Sequence, residues 1–227
     1  MTAGDTGPRR AWMSWSSGKD SMLALHEARR DPSLDVVGLL TTVNAAADRV
    51  AMHAVRRQLL SAQADRLGLT LHVVELPWPC SNTDYETRMA AAVRAAVQAG
   101  VRVMVFGDLF LADVRAYREE ALAGTGITPV FPLWGRPTGT VARVICDLGI
   151  DAVLTCVDPA QAPAELAGRR YDEKLIAALP AAVDPCGERG EFHSFVRNGP
   201  GFASPIDLII GEVVHRDGFV FCDLLPA

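Results

Sequence analysis

Near-continuous apolar runs alternate with runs of helical period from residue 11 onward, and few architectures accommodate that order. Ala11 to Ser16, Leu34 to Val43, Leu69 to Leu76 and Arg102 to Leu109 read as strands. Between them, Lys19 to Arg30, about Asp48 to Leu67, and Asp84 to Ala99 read as helices. A strand apolar on both faces must be covered on both, and a helical connection returns the chain in the same direction. The expected fold class is α/β, a parallel sheet with helices on both faces.

The texture changes near residue 128. Pro129, Pro132 and Pro137 cluster there, followed by a helix over Thr138 to Leu148 and a strand over Asp151 to Val157. Pro180 to Gly201 is rich in proline, glycine and charge. Pro205 to Val214 and Phe219 to Leu225 are joined through Asp217-Gly218, a favoured hairpin turn pair. These signs predict a smaller C-terminal α+β domain, with the boundary between residues 130 and 131. Trp134 is expected to wedge the junction. The cleft between the two domains is the expected ligand site.

Composition narrows the function. A formal charge of −5 and a pI near 5.5 argue against binding nucleic acid by phosphate neutralisation. No run of about 18 apolar residues is present, so no membrane partner is expected. The first ten residues lack the apolar core of a secretory signal, which makes the cytoplasm the expected compartment. Five cysteines without a Cys-x-x-Cys pair suggest neither a disulfide framework nor a zinc knuckle. Only two of the 22 basic residues are lysines, Lys19 and Lys174. That bias, with abundant alanine, reads as a GC-rich bacterial genome.

Lys19 falls in the most unusual loop. Ser14 to Ser21 read Ser-Trp-Ser-Ser-Gly-Lys-Asp-Ser, after the first strand and at the first turn of the first helix. Short residues and Gly18 let the backbone curl, and free N–H groups at a helix N-terminus favour an anion. Lys19 adds a mobile cation, and Ser16, Ser17 and Ser21 add hydroxyl donors. The Walker loop is excluded, because Met13 stands where its first glycine belongs and Asp20 follows the lysine. The plain alternative is a serine helix cap.

Ser-x-Gly-Lys-Asp-Ser resembles the PP-loop of the N-type ATP pyrophosphatases, in the adenine nucleotide alpha hydrolase superfamily. Ser17 replaces the usual first glycine, a change tolerated if that position does not need positive φ. Met52-His53 before an arginine-rich helix, Gly107-Asp108, Pro132-Leu133-Trp134-Gly135, and Asp184 to Val196 (DPCGERGEFHSFV) extend the likeness to the diphthine–ammonia ligase-like branch. The resemblance covers about residues 11 to 203. It implies a Rossmann-like, HUP-type sheet and an ATP-dependent amide-forming ligase that passes through an acyl-adenylate. AMP and pyrophosphate are the expected products. ATP, Mg²⁺, a small or protein-borne carboxylate and ammonium are the expected cofactors and partners. A homodimer is compatible with this reading. Diphthine is a modified histidine of archaeal and eukaryotic elongation factor 2, so a bacterial chain implies another acid. A non-catalytic ATP- or AMP-binding regulator is the alternative.

Candidate residues follow. Ser16, Ser17, Gly18, Lys19, Asp20 and Ser21 would hold the phosphates. Glu188, Glu191 and His193 sit in a glycine-bounded turn before a strand, and would bind substrate or move a proton; a solvated turn is the alternative. Gly107 and Asp108 end a strand where ligands of parallel sheets bind. Asp20 and Asp108 are the candidate Mg²⁺ ligands. The resemblance brings Thr41 and Thr42 to the adenine and His53 toward the nucleotide, while strand packing and helix capping explain them as well. Cys186 is a poor nucleophile candidate, with only His193 as a nearby base.

Overall fold

The computed structural model describes residues 7–50 and 53–227. Met52 and residues 1–6, both used above, lie outside the described residues. The first half runs β1 (Arg9–Ser14), α1 (Lys19–Arg30), β2 (Leu34–Asn44), β3 (Arg49–Val50), α2 (Arg57–Leu67), β4 (Thr70–Leu76), α3 (Asn82–Gln98), β5 (Val103–Val105), α4 (Ala112–Leu122) and β6 (Thr128–Val130). The second runs α5 (Thr138–Asp147), β7 (Asp151–Val157), β8 (Arg170–Tyr171), α6 (Glu173–Ala178), β9 (Phe192–Asn198), β10 (Leu208–Arg216) and β11 (Phe219–Pro226), with a 3-10 turn at Ala164–Leu166.

In the first sheet β1 lies between β2 and β5, β4 pairs with β2, and β6 pairs with β5, all in parallel. Side chains alternate across the pleat. Ala11 and Met13 of β1 enter one core with α1 and α2, and Trp12 enters another with α3. The α/β architecture with helices on both faces is as expected. It is not wholly parallel, because β3 pairs antiparallel with the end of β2. That hairpin also corrects the helix expected from Asp48. Residues 49 and 50 pair back on β2, Asp48 and Ala54 take positive φ (51° and 54°), and α2 starts only at Arg57. The strand expected to reach Leu109 stops at Val105, since the Leu109 N–H turns to a side-chain carboxylate instead.

The second sheet is antiparallel. β7 pairs with β9, β8 and β11, and β10 lies outside β11. Asp217 (φ 52°) and Gly218 (φ 83°) make the β10–β11 turn left-handed at both central residues, the type I′ geometry that suits a hairpin. Leu154, Phe192, Phe195 and Val220 of this sheet join Met13, Leu23 and Leu60 in one continuous buried core. Among the described residues no helix is long and apolar enough to cross a membrane.

Candidate functional site

The Ser16–Ser21 loop leaves β1 and enters α1 with Gly18 as N-cap. Ser17 is fully buried at φ 70°, so the position does need the left-handed region. A serine there costs about 1–2 kcal/mol relative to a relaxed backbone. Its Oγ is buried without a hydrogen-bond partner. The Ser21 hydroxyl donates to the Gly18 carbonyl (2.8 Å), and the Ser16 hydroxyl donates to Ser21 Oγ (3.2 Å). Gly107 lies against the first turn of α1, where a Cβ would come within 3.1 Å of the Ser21 nitrogen.

Lys19 is not mobile. It is 1% exposed because the second sheet covers the loop. Its Nζ donates to Asp20 Oδ2 (2.8 Å) and to the Cys186 carbonyl, over the rings of Tyr171 and Phe192. Burial works against the ammonium, but Asp20, together with Cys186 and Glu188 nearby, holds the pKa above the ordinary lysine value. The Lys19 N–H donates to Ser194 Oγ (3.2 Å), so β9 also caps α1.

The acidic motif folds as a tight turn around its own carboxylates. Asp184 Oδ1 accepts from the Cys186 N–H (2.9 Å) and the Glu188 N–H (3.3 Å). Glu191, expected on the substrate wall, is 2% exposed and braces this turn. Its two oxygens accept from the Asp184 N–H (3.0 Å) and the Arg189 N–H (2.9 Å). Gly187 (φ 69°) is required there, since a Cβ would sit 2.8 Å from the Phe192 carbonyl. Glu188 reaches the first half of the chain and accepts from the Leu109 N–H at 2.7 Å. Burial, reinforced by Asp20 and Asp108 against the Leu109 N–H, pushes its pKa up to about 7. Burial, and then Asp20, raises the Cys186 thiol, which stays protonated and unsuited to nucleophilic attack.

An open cleft of about 860 Å³ lies beyond the carboxyl ends of β1, β2 and β5, between α3 and α4. Ser16, Thr41, Thr42, His53 and His193 line it; Lys19, Asp20, Asp108, Glu188 and Glu191 do not. Thr41 Oγ1 is buried and unpartnered. His53 and His193 face each other with ring centroids 4.5 Å apart, and His53 Nδ1 donates to the Ser194 carbonyl (3.2 Å). Asp108 is held by Arg118 (Nε to Oδ2, 2.8 Å), whose guanidinium lies over Phe106. Trp134 stacks under Arg115 of α4.

These residues make no all-protein metal cage. Among the described residues no group of three or more histidine, cysteine or carboxylate side chains is placed to hold a metal. Among the described residues Asp20 Oδ1 is a buried carboxylate oxygen without a hydrogen-bond partner, of the kind that could join nucleotide phosphates about Mg²⁺. Asp108 is committed to Arg118.

Sequence reasoning missed Gln63, Arg118 and Asp223. Asp223 of β11 accepts from Arg49 (2.8 Å) and Arg56 (2.5 Å), which flank the His53 segment. Those guanidiniums outweigh its partial burial and lower its pKa to about 2.

Protonation of the histidine pair gives a stability prediction. Burial, and then Lys19, lowers His193 to about 4, so the folded state binds fewer protons than the unfolded state between pH 4 and 6.5. Stability held by the neutral ring is present above pH 6.5 and is lost as pH falls through 4. Urea melts at pH 7 and pH 4 should show His193→Gln losing about 3 kcal/mol less than the unaltered chain. Equal losses in both would show that His193 does not couple to folding.

A family model described as the diphthamide synthase N-terminal domain matches residues 9–128, and one described as the diphthamide synthase C-terminal domain matches residues 138–223. No curated protein matches the chain.

Proposed function

The chain belongs to the diphthamide synthase family, and from that premise we propose that it is an ATP-dependent, amide-forming ligase of the PP-loop pyrophosphatase type. Residues 1–130 bind the nucleotide and residues 131–227 present the acid. The observation that carries this reading is the buried Lys19 at the N-terminus of α1, tied to the acidic motif through the Cys186 carbonyl.

A carboxylate oxygen of the substrate attacks the α-phosphorus of ATP, giving an acyl-adenylate and pyrophosphate. Ammonia then attacks the acyl carbon, AMP leaves, and the amide remains. The Ser16–Ser21 loop stabilises charge that accumulates on the departing pyrophosphate. Thr41 Oγ1 is the free polar group for the nucleoside. The attacking species is the free ammonia in equilibrium with ammonium, and Glu188 braces the acidic turn on the Leu109 N–H from outside the cleft. Mg²⁺ would neutralise the phosphates, with Asp20 Oδ1 as its protein ligand. The acid is expected to differ from diphthine in a bacterium.

A second reading is favoured by one observation: the Lys19 ammonium is fully engaged within the chain, as a nucleotide-holding regulator would permit. One experiment separates the two. The protein is incubated with ATP, Mg²⁺ and ammonium against a library of carboxylic acids. Equimolar AMP and pyrophosphate with one acid class is the expected result. ADP and orthophosphate would exclude attack at the α-phosphorus, and tight ATP binding with no turnover on any acid would support the regulator.

A further inference from the structure

Gln63 lies in α2, is completely buried, and has every polar atom in use. Its Oε1 accepts from Trp15 Nε1 at 2.8 Å. Its Nε2 donates to the Ser17 carbonyl at 3.0 Å and to the Val196 carbonyl at 2.6 Å. The Ser17 carbonyl also accepts from the Val196 N–H at 2.9 Å. One side chain thus joins the residue before the loop, the strained residue inside it, and strand β9 of the second sheet. Ser17 at φ 70° has no side-chain hydrogen bond of its own to hold it there. A backbone in a sparsely populated region persists only where its surroundings over-determine it, and here the carbonyl bonds from Gln63 and Val196 do so.

We propose that Gln63 is a positioning residue: it holds Ser17 in its left-handed conformation, and so fixes the course of the Ser16–Ser21 loop between β1 and α1. The proposal rests on the reading of Ser16–Ser21 as the phosphate loop, and adds that the loop's shape depends on α2 and β9. It also implies that glycine at position 17, which takes φ 70° without strain, makes Gln63 dispensable.

The test compares Gln63→Met, which keeps length and removes all hydrogen bonding, with the unaltered chain. Both are also made in the Ser17→Gly background, which removes the strain and keeps the variant measurable. Amide hydrogen exchange is followed in the unliganded protein at residues 16–19 and at the β10–β11 hairpin. Affinity for a non-hydrolysable ATP analogue is measured by titration. Gln63→Met should speed loop exchange at least tenfold with the hairpin unchanged, and weaken the analogue about tenfold. Adding Ser17→Gly should recover most of that affinity. Loop and hairpin exchange rising together, or no recovery with Ser17→Gly, would overturn the proposal. If the unaltered chain binds no nucleotide, the proposed function fails, and loop exchange still decides the role of Gln63.

Discussion

Lys19→Ala is expected to lower stability sharply and to remove nucleotide-dependent activity together. Among the described residues the ammonium is the only donor to Asp20 Oδ2 and to the Cys186 carbonyl, and Lys19 is 1% exposed. Removing the ammonium leaves the Asp20 carboxylate and the Cys186 carbonyl without their donor, at a cost of about 1–3 kcal/mol for each buried acceptor. For a chain of this size the melting temperature should fall by roughly 10 °C. Pyrophosphate release should fall at least tenfold, because a charge-assisted contact contributes about 1.5–3 kcal/mol. Lys174→Ala is the control: Lys174 is exposed on α6, and its loss should change stability by less than about 0.5 kcal/mol. Small and equal effects from the two substitutions would remove Lys19 from the centre of the site.

Glu191→Gln should be nearly as severe, for a different reason. Each Glu191 oxygen accepts from a backbone N–H, one at Asp184 and one at Arg189. A glutamine keeps one acceptor and turns an NH₂ group toward the other N–H. A buried donor left facing a donor costs about 1–3 kcal/mol. The turn that places Cys186 and Glu188 should loosen, so turnover falls with stability. Arg189 is 56% exposed at the tip of that turn and offers trypsin a cleavage point. Faster cleavage after Arg189, with a melting temperature lower by roughly 5 °C, is the expected pattern. Unchanged trypsin resistance with lost turnover would instead return Glu191 to direct contact with substrate.

Several elements were legible because local and tertiary preferences agree. The bounds of α1 and β7 coincide with the sequence expectation, Lys19–Arg30 and Asp151–Val157. The start of α2 was hidden. The helix expected from about Asp48 begins only at Arg57, because pairing of Arg49 and Val50 on β2 overrides local helical preference. The Ser16–Ser21 turn from β1 into α1 was legible from a serine-glycine-lysine run following a strand. The direction of Glu191 was not, since strand alternation says nothing of which backbone N–H groups lack acceptors in the turn before it. Gln63 left a faint trace. It lies on the stripe of Leu59, Leu60, Ala64 and Leu67, where a polar residue signals a buried partner. That partner, 46 residues earlier at Ser17, is not visible in a linear pattern.

The triad of Arg49, Arg56 and Asp223 has a bearing on biosynthesis. The segment that carries His53 is clasped by a residue 174 positions away from Arg49, and the Ser17 carbonyl awaits a glutamine bonded across 133 positions to β9. Contacts of such span are entropically expensive to close and form late. As the polypeptide emerges from the ribosome, β1 and its loop appear first and β11 appears after both sheets are otherwise complete. The first-made part of the site is therefore the last to be finished. A nascent chain carries a loop with no strand to hold its shape until β9 and β11 follow it.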